Sequence, residues 1–253
     1  MPESAANETT QAIEVQRDFW DAWNASNREH KLSDVSLDQR DVILQWLSDL
    51  GRTDLDIIEV GCGAGWFCPS LTPFGRVTAT DLSEHVLTRA SERIPDVRFI
   101  SGDFMALDFE PASFDVVASL EVLSHVGDHV AFVKKLSTLL RPGGMLMLAT
   151  QNRPVLERFN TVEQQKPGQL RRWFDRHELS ALLAPYFELQ ELKTITPVAS
   201  KGPLRLLAGR KTKRAIRVVA GRTVERALAS LGFGWTLIAL ARKRDDGAPS
   251  HGG

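Results

Sequence analysis

Five short apolar runs, LDIIEV, RVTATDL, VRFISGD, FDVVASL and GMLMLAT, recur between Leu55 and Thr150. Between them lie the helical stretch SEHVLTRASERI, a short polar link around ALDFEPAS, and the helical stretch HVAFVKKLSTLL, which stops at RPGG. Apolar runs without alternation read as strands buried on both faces. Strands that alternate with helices need right-handed crossovers and a parallel sheet covered on both sides. The fold class expected is therefore α/β, doubly wound.

The flanks have a different rhythm. From Val15 to about Leu50 the pattern is helical, with FWDAW followed by VSLDQRDVILQWLSDL, and Ser36 or Asp38 is expected to cap the second helix. Beyond Thr150 come a looser stretch, the helix DRHELSALLAPY, and two strand-like runs, FELQELKTITPV and GWTLIALARK, suited to pairing as a hairpin. Between those runs lies KGPLRLLAGRKTKRAIRVVAGRTVERALASL, strongly basic, with Glu225 its only acid. The division expected is a tail over 1–15, a helical cap over 16–50, the α/β domain over 51–243 with a basic helical insertion at 201–231, and a disordered tail over 244–253.

Composition narrows the class of function. With 253 residues, 43% hydrophobic and 25% charged, the chain is long enough to bury a core without metal or disulfide staples. A formal net charge of −1 argues against a surface given over to nucleic acid. The start, MPESAANETTQ, lacks the basic and apolar regions of a signal peptide, and no run of about eighteen apolar residues is present. A cytoplasmic location is expected, with Cys62 and Cys68 reduced. Two cysteines and no close histidine pair do not make a zinc site.

The stretch EVGCGAGWF, Glu59 to Phe67, carries the first functional signal. Gly61, Gly63 and Gly65 follow the first strand directly, and glycine both permits positive φ and lets a ligand approach bare backbone. A helix opening behind the loop is expected to offer N–H groups to an anion. A dinucleotide loop reads G-x-G-x-x-G, and here Trp66 takes the sixth place, which disfavours a hydride-transfer enzyme. Asp81 ends the second strand, within reach of ribose hydroxyls, and Asp103 ends the third, within reach of an adenine amino group. Glu59, just before the loop, stands near the place of a ligand ammonium. A carboxylate at a strand end also serves as a helix cap. Three acids at successive strand ends, on the edge where such sheets bind ligands, favour the ligand.

In register from about Leu55 to Asn152, EVGCGAGW, TDLS, GDFMALDFEPASFDVVASLEVLSHV and LLRPGGMLMLATQN resemble a class I S-adenosylmethionine-dependent methyltransferase. The resemblance implies a mostly parallel, seven-stranded Rossmann-like sheet with its last strand antiparallel. It implies S-adenosylmethionine as cofactor, with Gly61, Gly63 and Gly65 at the methionine moiety, Asp81 at the ribose, and Asp103 with Phe104 at the adenine. Leu82 would flank the adenine, and Leu120 would supply backbone near the sulfonium. S-adenosylmethionine has no pyrophosphate needing a third glycine, so Trp66 is compatible with it.

Methyl transfer is an in-line displacement, so the protein's main task is alignment, which can supply about 7–11 kcal/mol. A hydroxyl acceptor also needs a base, and His125, just after the fourth strand, is the candidate. Its alternative is a partly buried histidine satisfied by backbone, while His129 and His177 read as surface helix residues. The segment EVLSHV, with Glu121 and His125, is similar to EVxEH of the ubiquinone-biosynthesis O-methyltransferases and small-RNA 2′-O-methyltransferases, where such residues hold a divalent metal. Ser124 stands here in place of the second glutamate, which removes one hard oxygen ligand. A magnesium-like ion on Glu121 and His125 and a metal-free site, in which Glu121 orients His125 or binds acceptor, both stay open.

The acceptor pocket of this fold forms from the N-terminal helices and the segments after the fourth and fifth strands. Candidate substrate residues are Trp23, Asn24, Arg28, Gln151, Asn152, Arg172 and Trp173, with Trp20 and Arg153 nearby; Trp20 and Trp46 suit helix core. The reading is a hydroxylated small molecule, carbohydrate ahead of phenol, with no nucleic-acid partner, since neither an NPPY-like tetrad nor a separate binding module is present. The rivals are N- or C-methylation of a small molecule and a non-catalytic S-adenosylmethionine-binding subunit. The insertion 201–231 reads as a pocket cap, a homodimer contact, a peripheral membrane contact or an RNA grip, with apolar residues at helical steps favouring the first two.

Overall fold

The computed structural model describes residues 13–24, 32–162, 164–165, 169–209, 212, 216, 218 and 221–244. The candidate Arg28, most of the N-terminal tail, the C-terminal tail from 245 and part of the basic insertion lie outside the described residues.

All five apolar runs are strands, and the two later runs complete the sheet. The strands are β1 Leu55–Val60, β2 Gly75–Asp81, β3 Val97–Ser101, β4 Phe114–Leu120, β5 Leu140–Gln151, β6 Phe187–Pro197 and β7 Gly234–Lys243. They form one seven-stranded sheet in the order β3-β2-β1-β4-β5-β7-β6. Pairing is parallel from β3 through β5, and β7 runs antiparallel to both β5 and β6. The chain order reverses at β1, where β2 lies on one side and β4 on the other, so a crevice opens at the carboxyl ends of these strands.

Helix α1 spans 13–24, so residues 13–15, expected in the tail, are already helical. It is followed by α2 Asp34–Asp49, α3 Cys68–Leu71, α4 Glu84–Arg93, α5 His129–Leu139, α6 Arg153–Phe159, α7 Arg176–Leu183, α8 Arg205–Ala208 and α9 Thr223–Ser230. The cap of α2 is Ser33, neither Ser36 nor Asp38: its hydroxyl accepts from the Ser36 N–H at 3.1 Å. Ser36 and Asp38 are buried inside the helix instead. In α7, Asp175 and Glu178 form a capping box. RPGG is drawn into the start of β5, with a register shift against β4 between Phe114 and Val116.

Side chains leave β1 alternately for two cores. Ile58 and Val60 pack with Phe132 and Leu136 of α5 and Leu179 and Leu183 of α7. Ile57 packs on the other face with Ile43 and Leu47 of α2, Cys68 and Leu71 of α3, and Leu87 of α4. At the amino ends of the strands, Arg141 reaches Asp115 at 2.6 Å and Asp56 at 2.8 Å, tying β1, β4 and β5 together. The opposite edge of the sheet is left for the site.

Candidate functional site

The glycine loop turns sharply because β1 ends one residue before it. Gly61 and Cys62 both donate to the Thr80 carbonyl, at 2.8 and 2.9 Å, which folds the loop across the end of β2. Gly61 has φ +76°, and a Cβ there would lie 2.1 Å from Cγ2 of Val122. Gly63 has φ +54°, and a Cβ there would lie 2.9 Å from Oδ1 of Asn24. Both positions therefore demand glycine on conformation and on space. Gly65, at φ +71°, donates to the Cys62 carbonyl.

The helix behind the loop, α3, is four residues long and starts only at Cys68, and Pro69 in its first turn has no N–H to offer. Phe67 and Cys68 are buried. Trp66, at the loop's end, packs beside Phe67 with ring centroids 5.4 Å apart.

Asp81 binds the loop to the second strand. One carboxylate oxygen accepts from the Gly63 N–H at 2.8 Å and the other from the Ser83 N–H at 3.1 Å. Burial pushes its pKa above the ordinary carboxylate value, against the pull of those N–H groups. Helix α1 closes over the same corner: Asp21 accepts from the Ser83 hydroxyl, and Asn24 is buried against Gly63. Asp21 escaped the sequence reading because nothing local links residue 21 to residue 83.

Glu59, beneath the loop, is 1% exposed and accepts from the Cys68 thiol at 3.1 Å. Burial raises its carboxyl to about 8, so it holds a proton at neutral pH. Cys62, also buried, has its thiol pushed up to about 11, again by burial. Asp103 accepts from the Met105 N–H at 3.0 Å at the end of β3. Phe104 packs inward against Phe132 at 5.5 Å, and Leu82 is half-buried beside Asp81.

After β4 the chain turns at Glu121, whose φ of +63° is unusual for a residue with a side chain. Leu120 is buried at the strand end. The Glu121 carboxylate accepts from Nε2 of buried Gln39 on α2 and, at 3.4 Å, from the Thr236 hydroxyl of β7. Gln39 was not foreseen, since only the tertiary fold brings α2 to the end of β4. Ser124 is fully buried and bonded to Thr150 and Gln151, so the place of a second glutamate faces inward. Among the described residues no three His, Cys, Asp or Glu side chains converge as a metal site. Glu121 and His125 thus gain no third His, Cys, Asp or Glu beside them among the described residues.

His125 is held from two sides. Its Nδ1 lies 2.6 Å from the Leu170 carbonyl, and its ring meets the edge of Trp20 on α1 at 4.7 Å. A carbonyl only accepts, so Nδ1 carries the proton and Nε2 keeps the lone pair. Burial holds the imidazole below its ordinary value, so it is neutral at pH 7.

The acceptor candidates divide. Trp20 and Trp23 are half-buried neighbours on α1, 5.7 Å apart, and Gln151 accepts from Ser124. Asn152 instead donates to the Gly232 and Gly234 carbonyls at 3.1 and 2.8 Å, joining β5 to β7. Arg153 pairs with Asp175 and Glu178, locking α6 to α7. Arg172 is exposed and lies over Phe174 at 5.1 Å, and Trp173 is half-buried beside Arg171. His129 is not a surface residue: it is buried against Phe174 at 5.2 Å, because the segment carrying Arg172 and Phe174 folds over the start of α5. His177 is exposed. A separate cleft of about 310 Å³, lined by Asp38, Trp46, Lys193, Thr196, Arg222 and Glu225, includes no residue of the glycine loop.

Residues 58–148 match a family model described as a methyltransferase domain. The ubiquinone biosynthesis O-methyltransferase of Idiomarina loihiensis is 35% identical over 144 residues, covering 54% of this chain and 57% of that protein. The demethylmenaquinone methyltransferase of Staphylococcus aureus is 32% identical over 152 residues, covering 55% of this chain and 62% of that one. The chain thus spans little more than half the length of these curated relatives. Among solved structures, the N-methyltransferase NodS of Bradyrhizobium japonicum, in complex with S-adenosyl-L-homocysteine, aligns with TM-score 0.61 at 16% identity, over 91% of this chain and 100% of that one. An S-adenosylmethionine-dependent methyltransferase of Mesorhizobium loti aligns with TM-score 0.58 at 21% identity, over 80% and 99%. At these identities the structures speak for the fold.

Proposed function

We propose that this chain, whose residues 58–148 match a methyltransferase domain model, is an S-adenosylmethionine-dependent O-methyltransferase that acts on a hydroxyl of a small molecule. The observation that carries the reading is His125, held neutral with Nδ1 committed to the Leu170 carbonyl and Nε2 left as the base, just beyond the end of β4.

The loop suits the cofactor. Gly61 and Gly63 have no room for a Cβ, and the carboxylate of Asp81 fixes the loop while keeping a second lone pair on each oxygen. Gly61, Gly63 and Gly65 would hold the methionine moiety with Glu59 below, Asp81 the ribose, and Asp103, Leu82 and Phe104 the adenine side. S-adenosylmethionine supplies an activated methyl on a sulfonium leaving group. The protein then has to align the acceptor oxygen and take its proton. Nε2 of His125 takes that proton, and Trp20 keeps water from the ring. Glu121, steadied by Gln39 and Thr236, faces the same strand end and orients the acceptor.

The relatives named for ubiquinone-biosynthesis O-methylation and for demethylmenaquinone methylation support a quinone-type ring over a carbohydrate as acceptor, with C-methylation as the second reading. The half-buried faces of Trp20 and Trp23 support a flat, aromatic acceptor. The test is methyl transfer from labelled donor to a panel of phenols and sugars, with wild type and His125→Ala. We expect phenols to be labelled, and turnover to fall about 10²–10⁴-fold in the variant while cofactor binding stays. Unchanged turnover would remove His125 as base, and cofactor binding with no turnover on any acceptor would favour a binding subunit.

A further inference from the structure

The basic segment 201–231 has two apolar sides, and only one of them is packed. Inward, Leu204 and Ala208 of α8 and Leu228 of α9 form a small core of their own with Ala199, flanked by Phe159, Val224 and Phe233. Arg222 pairs with buried Asp38 of α2, which anchors the segment to the domain. Outward, Leu206 is 72% exposed, Val218 84%, Leu231 73% and Leu207 46%. The first three are the most exposed large apolar side chains among the described residues. Apolar residues at helical steps here were expected to pack on the domain; these four do not.

The same 31 residues carry nine lysines and arginines and one acid, in a chain whose formal net charge is −1. The rest of the chain is therefore acidic, and the positive charge is gathered in the same stretch of sequence as the exposed apolar residues. Of the exposed residues, Lys201, Arg205 and Arg226 share the segment with Leu206, Leu207 and Leu231. Basic groups alone would suit any polyanion. Bare leucines among them suit a surface with negative headgroups above an apolar interior, as in interfacial helices. RNA offers no such interior, and a second copy of this segment would bring like charges together.

We propose that the described part of this segment forms a docking surface for an anionic lipid bilayer, with Leu206, Leu207, Val218 and Leu231 entering the interface and Lys201, Arg205 and Arg226 meeting the headgroups. The contact is peripheral: no helix among the described residues is long and apolar enough to cross a membrane. The proposal is independent of methyl transfer, and its test needs neither cofactor nor acceptor.

The experiment is flotation of the full chain with vesicles of phosphatidylcholine alone, or of phosphatidylcholine with about 30% phosphatidylglycerol. The protein should float with the anionic vesicles at low salt, stay behind with the neutral ones, and bind about tenfold less at about 0.5 M salt. The variant L206D/L207D/L231D changes only exposed side chains, so its melting temperature should match wild type while vesicle binding falls at least about tenfold. R205E/R226E should weaken binding to anionic vesicles and leave the small apolar core intact. Failure of wild type to float with anionic vesicles overturns the proposal, as does equal flotation of the folded leucine variant. Loss of a concentration-dependent dimer in that variant, without vesicle binding by wild type, would assign the face to self-association instead.

Discussion

At the scale of single residues, the site is defined by groups whose ordinary chemistry has been shifted by burial. His125 is the clearest. Its pKa is held below the usual 6.5, so the acid limb of the rate profile should lie below that pH, and the rate should be level above it. A profile with its midpoint well above 6.5 would assign the base elsewhere. Glu59 has the opposite sign. Its carboxyl titrates near 4.5 when unfolded and near 8 when buried, so between those values the folded state binds more protons. Its contribution to stability is therefore present at acid pH and is lost as pH rises from about 4.5 to about 8. Glu59→Gln should flatten that decline in melting temperature between pH 5 and 8, and an unchanged slope would contradict the assignment. Gly61→Ala tests the loop: a Cβ 2.1 Å from Val122, at φ +76°, should abolish cofactor binding or lower stability by about 1–3 kcal/mol. Full affinity and stability in that variant would mean the loop yields easily.

At the scale of elements, what could be read in the sequence and what could not divide along local and tertiary lines. The strands were legible because β1 and β4 are buried on both faces and lack polar alternation. The glycine loop and Asp81 were legible because a tight turn and a strand end are set by neighbouring residues. The cap of α2 was misplaced because DVSLDQRD offers several oxygen-bearing side chains, and burial, invisible locally, takes Ser36 and Asp38 inward. Helix α3 starts only at Cys68, after Phe67 has been drawn into the core. Asp21, Gln39 and the burial of His129 all depend on an element arriving from far along the chain. Helix α1 carries the most telling case, since the edge of Trp20 meets the ring of His125. Trp20→Ala should let water reach the imidazole, so its pKa should rise toward 6.5 and the acid limb should move to higher pH. A limb that stays in place would mean that Trp20 does not set the environment of the base.

At the scale of the whole molecule, the sheet order places the loop between β1 and β2 and the Glu121–His125 turn after β4, both on one edge beside the reversal at β1. The β6–β7 pair extends the sheet beyond β5, and the basic segment joins these two strands at the edge where β5 ends. A ligand that binds only the folded chain at this edge should stabilise all of it. The central claim is that the loop and Asp81 bind an adenosyl sulfur compound. The measurement that tests it most directly is calorimetric titration with S-adenosylhomocysteine of wild type and Asp81→Ala, with NADH titrated in parallel. The account predicts micromolar binding to wild type, a loss of about tenfold or more in the variant, equal to about 1.4 kcal/mol, and no binding of NADH. Absence of binding to wild type, preference for NADH, or undiminished affinity in Asp81→Ala would contradict it.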